Sequence, residues 1–106
     1  MTFKEKIQED LKKAMKEDRF QEVSVLRLIN AALLNKEKEK RYKLKETKDV
    51  QLTDDETEEV ILSEAKKRQE SIEEFEKGKR SDLAAKESEE LGVLQKYLPG
   101  HHDRSQ

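Results

Sequence analysis

The segment "IEEFEKGKRSDLAAKE", Ile72–Glu87, places one glycine between two stretches that favour helix. Gly78 can adopt the left-handed backbone conformation that closes a helix, which costs other residues more. Ser81 follows and can cap the next helix with its hydroxyl. Because a link this short leaves no room for a crossover, the segment predicts an antiparallel helical hairpin, with helices over about residues 53–77 and 81–98.

The apolar spacing on both sides of Gly78 predicts the register of this hairpin. Arg68 falls inside the apolar stripe of the first helix, and Glu87 falls inside that of the second. A turn near Lys79 would place Arg68 between Glu87 and Glu90. We therefore expect a shielded Arg68–carboxylate pair, which either fixes the register of the helices or serves as a recognition arginine.

Two capping boxes mark the starts of two helices. Thr2 with Glu5 precedes a stripe of apolar residues spaced by four, which predicts a first helix from Phe3 to Lys16. The stripe consists of Phe3, Ile7, Leu11 and Met15. Thr53 with Glu56 forms the second box and opens the third helix.

The second helix differs because its apolar residues are dense. From Val25 to Leu34 only Arg27 and Asn30 are polar, so apolar side chains cover most of the circumference. We expect this to be the central and most buried helix, with Asn30 hydrogen-bonded in the core because an unsatisfied amide there would cost about 1–3 kcal/mol. Its charged continuation, Lys36–Arg41, is expected to project into water.

The composition favours a small all-α bundle of about four helices. The chain has 106 residues, of which 32% are hydrophobic and 45% charged, with 3 Gly and 1 Pro. We expect one domain over residues 1–99 and a disordered polar tail over residues 100–106. The start "MTFKEKIQED" lacks a signal sequence and no apolar run would span a membrane, so we expect a soluble, cytoplasmic protein.

The residue pattern contains no recognisable catalytic centre. Cysteine is absent, and the two histidines, His101 and His102, lie in the polar tail. Carboxylates at helical spacing abound, but none accompanies an inward-facing histidine as in di-iron bundles. We predict no catalytic residue, no metal ligand and no cofactor.

A basic run after the second apolar stretch is the candidate for polyanion contact. Residues 1–53 carry 14 basic and 10 acidic groups, whereas residues 54–106 carry 9 and 15. The run contains Tyr42, which could stack on a base, and the cations Lys36, Lys38, Lys40, Arg41, Lys43, Lys45 and Lys48. Pairing of these cations with Glu37, Glu39 and Glu46 along an exposed helix explains the run equally well.

Two long stretches resemble the YqeY-like family. They are "FKEKIQEDLKKAMKEDRFQEVSVLRLINAALLNKE" and "AKKRQESIEEFEKGKRSDLAAKESEELGVLQKYLP". The second includes a "KR-x-x-S-x-x-EF" run at Lys67–Phe75, an "R-x-DL" run at Arg80–Leu83 and "YLP" at Tyr97–Pro99. The resemblance covers about residues 1–99, and it implies a second, smaller helical domain after Pro99, where this chain has "GHHDRSQ".

The resemblance also implies a function. YqeY-like proteins are similar to the C-terminal helical region of GatB, a subunit of the glutamine-dependent amidotransferase that converts mischarged Glu-tRNA or Asp-tRNA. Members are labelled amidotransferase-like, carbon–nitrogen ligases with glutamine as amido donor, although the catalytic machinery of the amidotransferase lies in other domains and subunits.

We therefore expect a non-catalytic accessory module that handles tRNA. Its predicted phosphate contacts are Lys36, Lys38, Lys40, Arg41, Lys43, Lys66, Lys67, Lys79 and Arg80. The alternative is a protein-interaction bundle with no nucleic-acid role, which could self-associate through an uncovered surface of the first or second helix. A free-standing amidotransferase is disfavoured because no nucleophile–base pair is visible.

Overall fold

The computed structural model describes residues 2–45 and 50–98, and four helices make up most of these. They are α1 (Phe3–Lys16), α2 (Phe20–Leu44), α3 (Asp54–Lys77) and α4 (Ser81–Gln95). No strand occurs within either described range. The all-α class and the four helices predicted from the sequence are confirmed, while Pro99 and the tail lie outside the described residues.

The residues group into two compact units, residues 1–60 and residues 61–106, so the second unit begins within α3. The first unit contains α1, α2 and the first turns of α3. Its core is made of side chains that are at most 8% exposed: Ile7, Ala14, Val23, Val25, Leu26, Ile29 and Leu33. The buried apolar residues of the second unit are Ile61, Ala65, Ile72, Ala84, Val93 and Leu94.

Both predicted capping boxes are present. The amide N–H of Glu5 donates to Thr2 Oγ1 at 3.1 Å, and the amide N–H of Thr2 donates to Glu5 Oε1 at 3.1 Å. At the second box, the N–H of Glu56 donates to Thr53 Oγ1 at 3.1 Å and the N–H of Thr53 donates to Glu56 Oε1 at 2.8 Å. Each box satisfies two backbone donors that a bare helix start would leave unbonded.

The same three-residue turn closes both helical hairpins. After α1, Asp18 adopts φ 54° and the amide of Arg19 donates to Ala14 O at 3.0 Å. After α3, Lys79 adopts φ 58° and the amide of Arg80 donates to Phe75 O at 2.8 Å. This six-to-one bond next to a left-handed residue is the Schellman motif, and it turns the chain directly into the next helix.

The prediction for Gly78 is therefore wrong in one respect. The helical hairpin is confirmed, but the left-handed residue is Lys79 rather than Gly78. Ser81 was also wrongly predicted as the cap, because it is the first residue of α4 and Arg80 precedes it with no side-chain capping bond. Arg80 instead lies 3.4 Å from a carboxylate oxygen of Asp82.

Two sequence expectations about burial are also wrong. Met15 is exposed and Ala14 takes the buried position in the last turn of α1, because residues spaced by four drift around a helix by about 40° per step. The second helix is not buried all round. Phe20, Leu28 and Leu34 on its outer face are exposed, while its buried face includes Leu26, Ile29 and Leu33.

Substitutions at the α3–α4 turn distinguish the two possible left-handed positions. Lys79→Gly should raise the free energy of unfolding by roughly 0.5–1 kcal/mol, because glycine accepts positive φ without the steric cost that an L side chain meets. Gly78→Ala should not destabilise the protein, since an added Cβ would lie 3.5 Å from Glu74 O, an ordinary contact. Urea unfolding measures both, and a Gly78→Ala variant less stable than the parent would contradict this assignment.

Candidate nucleic-acid interface

The last turns of α2 form a basic hollow on the surface of the first unit. Its lining residues are Lys38, Arg41, Tyr42, Lys43 and Lys45, around a volume of about 610 Å³, and none of these described residues is acidic. The Tyr42 side chain is 86% exposed, so its ring face is available for stacking. Lys45 ends the helix in the left-handed conformation, with φ 53°.

Lys36 and Lys40, which the sequence assigned to the same interface, are engaged with carboxylates. Lys40 Nζ lies 2.6 Å from Glu56 Oε1 and donates to the backbone oxygen of Gln51 at 3.0 Å. Lys36 Nζ lies 3.8 Å from Glu39 Oε2. Lys40 therefore connects α2 to the start of α3 within the first unit, and its role there is structural.

The expectation that Lys36–Arg41 projects wholly into water is wrong at Glu37. This residue is only 6% exposed, and its Oε2 atom lies 2.7 Å from Lys4 Nζ on α1. The antiparallel course of α1 and α2 brings the first turn of α1 alongside this part of α2. The pair neutralises an acidic side chain that would otherwise reduce the positive charge of the helix end.

The remaining predicted contacts lie in the second unit, where they do not form one cluster. Lys66 and Lys67 are exposed near the middle of α3, and Lys67 Nζ is 3.2 Å from Glu64 Oε2. Lys79 and Arg80 lie in the α3–α4 turn, beyond the end of α3 at Lys77, which is about 15 Å from Lys67 along the helix axis at 1.5 Å per residue. Lys48 lies outside the described residues.

Arg68 has a different nearest partner from the one predicted. Its Nη1 atom lies 2.9 Å from Oε1 of Glu64, one turn earlier on α3, and both side chains are mostly buried. The sequence placed Arg68 between Glu87 and Glu90, and the charges of Arg68 and Glu87 both act on the Glu90 carboxyl. The sequence contained the signal for Glu64, since residues four apart are neighbours on a helix.

Of the charged side chains near Arg68, Glu90 is the one whose ionisation is unfavourable. Burial raises the pKa of Glu90 above 4.5, and the negative charge of Glu87 raises it further, while Arg68 acts in the opposite direction. The folded protein therefore holds the neutral form of Glu90 more readily than the unfolded chain does.

The sequence predicted that Asn30 is hydrogen-bonded in the core, and this prediction is wrong for its side-chain oxygen. Oδ1 of Asn30 is buried and accepts no hydrogen bond from the described residues. The residue as a whole is half-buried on α2. An amide oxygen without a donor makes this position an unfavourable one in the first unit.

Across residues 2–45 and 50–98, no group of three or more histidine and acidic side chains could hold a metal ion. No helix in the described ranges is both long enough and apolar enough to cross a bilayer. His101 and His102, predicted to be disordered and without a role, lie beyond the described residues.

The described residues thus form a small all-helical protein with a cationic hollow at the end of α2. The family model described as Yqey-like protein matches residues 4–106, and the chain belongs to this family. No curated protein shows significant similarity to the chain.

Glu56 should make the stability of the first unit depend on pH in the acidic range. The Lys40 ammonium lowers the pKa of Glu56 from 4.5 to about 2, and the Thr53 amide contributes in the same direction. Because the folded pKa lies below the unfolded value, this stabilisation is present above about pH 4.5 and is lost as the pH falls toward 2. Glu56→Gln should therefore lower stability at neutral pH, and the difference should disappear near pH 2.

Thermal unfolding across this pH range provides the measurement. Glu59→Gln, an exposed position on the same helix, is the matched control and should follow the parent curve. A Glu56→Gln variant as stable as the parent at pH 7 would show that the Lys40–Glu56 contact contributes nothing.

Glu90→Gln should have the opposite effect. Because the folded pKa of Glu90 is raised, its ionisation above pH 4.5 costs stability, and an uncharged glutamine avoids that cost. The variant should be more stable than the parent at pH 7 and equal to it at pH 3. Glu73→Gln, exposed on α3, is the control for a simple change of net charge. Equal gains in both variants would exclude a specific effect at Glu90.

Proposed function

We propose that this chain is a non-catalytic RNA-binding module that contacts phosphates through the basic hollow at the end of α2. The observation that supports this most strongly is the composition of the hollow, in which Lys38, Arg41, Lys43 and Lys45 surround Tyr42 and none of the described lining residues is acidic. Phosphate contact by clustered cations supplies affinity, and stacking on an exposed aromatic ring accepts any base.

The dimensions of the hollow agree with this role. From Lys38 to Lys45 the helix rises about 10 Å, a length over which a nucleic-acid strand presents roughly three phosphates. One ion pair favours the positive potential here, because Lys4 on α1 neutralises Glu37 on α2. Lys38 and Lys43 are exposed and form no ion pair with any described residue.

The favourable interaction of cations with a helix C-terminus offers a competing explanation for this charge. Arg41 and Lys43 lie in the last turn of α2, where they complement the negative end of the helix dipole. The dipole accounts for residues of the last turn only. Lys38 lies outside that turn, and an exposed tyrosine gains nothing from the dipole, so polyanion contact explains more of the lining.

The biological setting we propose follows from family membership. By the resemblance to GatB, the RNA would be tRNA, and the module would be an accessory to glutamine-dependent amidation or to other tRNA handling in the cytoplasm.

Fluorescence anisotropy with labelled tRNA at several salt concentrations tests this proposal. Replacing Lys38 and Lys43 by Gln should weaken binding roughly five- to eightfold per lost phosphate contact at 0.1 M salt, and should reduce the salt slope by roughly one per contact. Tyr42→Leu should weaken binding without changing the slope, because stacking releases no counterions.

Two control variants separate a local effect from net charge. Lys12→Gln with Lys13→Gln makes the same change of charge on exposed positions of α1 and should leave the affinity almost unchanged. Lys66→Gln with Lys67→Gln asks whether the second unit contributes. Absence of binding by the parent chain at low salt would refute the proposal, and equal losses in all three double variants would refute the assigned site.

A further inference from the structure

The exposed side of α2 differs in charge from the rest of the chain. Over the whole sequence, acidic and basic residues are almost equal in number, 25 against 23. The nine exposed residues within an arc of about 120° on this side extend over about 33 Å of helix and include two cations but no carboxylate. They are Phe20, Ser24, Arg27, Leu28, Ala31, Leu34, Asn35, Lys38 and Tyr42. This outer face of α2 therefore suits an anionic partner.

The two cations of the outer face, Arg27 and Lys38, lack acidic partners. Ion pairs on a helix join residues three or four positions apart, as Lys36 does at 3.8 Å with Glu39, which borders the face. No acidic residue stands three or four positions before or after Arg27 or Lys38. Neither cation forms an ion pair with any described residue. Both charges are therefore available to an anionic ligand.

A hollow near the start of α2 combines three groups that bind nucleotides. This Phe20 hollow has a volume of about 430 Å³ and is lined by Phe20, Val23, Ser24, Arg27 and Leu28. Phe20 is 76% exposed, so a base can stack on its ring. The Ser24 hydroxyl can donate to or accept from a base edge, and the Arg27 guanidinium can hold a phosphate by two parallel hydrogen bonds. The hollow therefore has the chemistry of a site for one unpaired nucleotide.

We propose that the Phe20 hollow is a second nucleotide site and that a single strand of RNA follows the outer face of α2 between the two hollows. This inference rests on the proposed function, because the basic hollow provides the first contact of the same strand. Bases inside a duplex already stack on one another, so neither Phe20 nor Tyr42 could stack on them. Two exposed rings on one helix face, about 33 Å apart, therefore favour an unpaired segment such as a loop or a free end.

The surface between the two hollows fits a strand that crosses it. Ala31 lies midway and is small, so a sugar–phosphate backbone can approach the helix there. The Asn35 side chain offers one acceptor and two donors, which suit a base edge or a phosphate oxygen. Because Lys38 and Tyr42 belong to both surfaces, the outer face leads directly into the basic hollow. One strand can thus contact both hollows.

An anionic membrane surface is the other partner that cations and aromatic rings on one helix face could serve. A helix that lies in a bilayer surface presents a continuous apolar face. On α2, Ser24 and Asn35 interrupt the apolar side chains of Phe20, Leu28 and Leu34. Among acyl chains both polar groups would lose their hydrogen bonds with water, whereas RNA offers them donors and acceptors. The polar residues therefore favour a nucleic acid.

Fluorescence anisotropy with the full chain and labelled single-stranded RNAs of two lengths tests the second site. At about 3.4 Å per stacked nucleotide, about twelve nucleotides cover the distance between the rings, whereas about four cover less than half of it. Arg27→Gln should weaken binding of the longer RNA roughly fivefold at 0.1 M salt and lower its salt slope by roughly 0.7. Phe20→Leu should weaken it roughly fivefold or more without changing the slope. Neither variant should change binding of the shorter RNA to the basic hollow.

Control variants and ligands separate a local effect from a general one. Lys12→Gln makes the same change of charge at an exposed position of α1 and should leave both affinities almost unchanged. Phe20→Leu should keep the melting temperature of the parent, because the side chain at this position is exposed. A duplex of about twelve base pairs should bind without dependence on Phe20, since its bases are not free to stack on the ring.

Three results would overturn the second site. Equal binding of the longer RNA by the parent, Phe20→Leu and Arg27→Gln, with a loss in Tyr42→Leu, would overturn it and leave the proposed function intact. Absence of RNA binding by the parent would refute both. Binding to vesicles of anionic phosphatidylglycerol that Phe20→Leu abolishes, with RNA binding unchanged, would assign the outer face to a membrane instead.

Discussion

A left-handed residue after α1 and another after α3 constrain the whole architecture. Asp18 and Lys79 each reverse the chain within three residues, and each is followed by an arginine whose amide closes the turn. If either residue adopted helical angles, the flanking helices would run on as one rod, and the apolar stripes on the two sides would face solvent. Both positions carry an L side chain in a conformation that glycine would accept at lower cost, so packing of the helices stabilises the turns.

The turn at Asp18 determines which charged side chains of α2 form ion pairs. By placing the start of α1 beside the second half of α2, it brings Lys4 to Glu37 and buries the acidic side chain. Lys40 forms an ion pair with Glu56 at the start of α3, and Glu56 also completes the capping box there. Lys38, Lys43 and Lys45 around Tyr42 remain exposed, and no carboxylate occurs among the described residues that line the hollow. Folding thus divides the basic run into cations that pair with carboxylates and cations that remain exposed.

Local signals in the sequence predicted the parts of the structure that depend on neighbouring residues. The capping boxes at Thr2 and Thr53 and the bounds of α1 were correct because each depends on groups within one helical turn. The left-handed residue was assigned to Gly78 because glycine has the lower intrinsic cost, whereas the hydrogen-bond geometry of the turn requires that conformation one position later. At this turn, tertiary packing overrides the intrinsic preference of about 1 kcal/mol for glycine at the left-handed position.

The candidate site was predictable only in part. The basic run around Tyr42 was visible in the sequence, but the separation of Lys40 from Lys38 and Lys43 depends on a carboxylate sixteen positions away. The burial of Glu37 depends on a partner thirty-three positions away. The exposed apolar face of α2 could not be distinguished from a buried one by counting hydrophobic residues, because the number of helices packed against it decides its exposure.

Solution NMR of the two turns tests the central claim that the chain is built from two tightly closed hairpins. The account predicts left-handed secondary chemical shifts at Asp18 and Lys79, together with slow hydrogen exchange of the Arg19 and Arg80 amides that donate back to Ala14 and Phe75. Continuous helical shifts through residues 16–20 or 77–81, with helical hydrogen bonding unbroken across the turn, would contradict it.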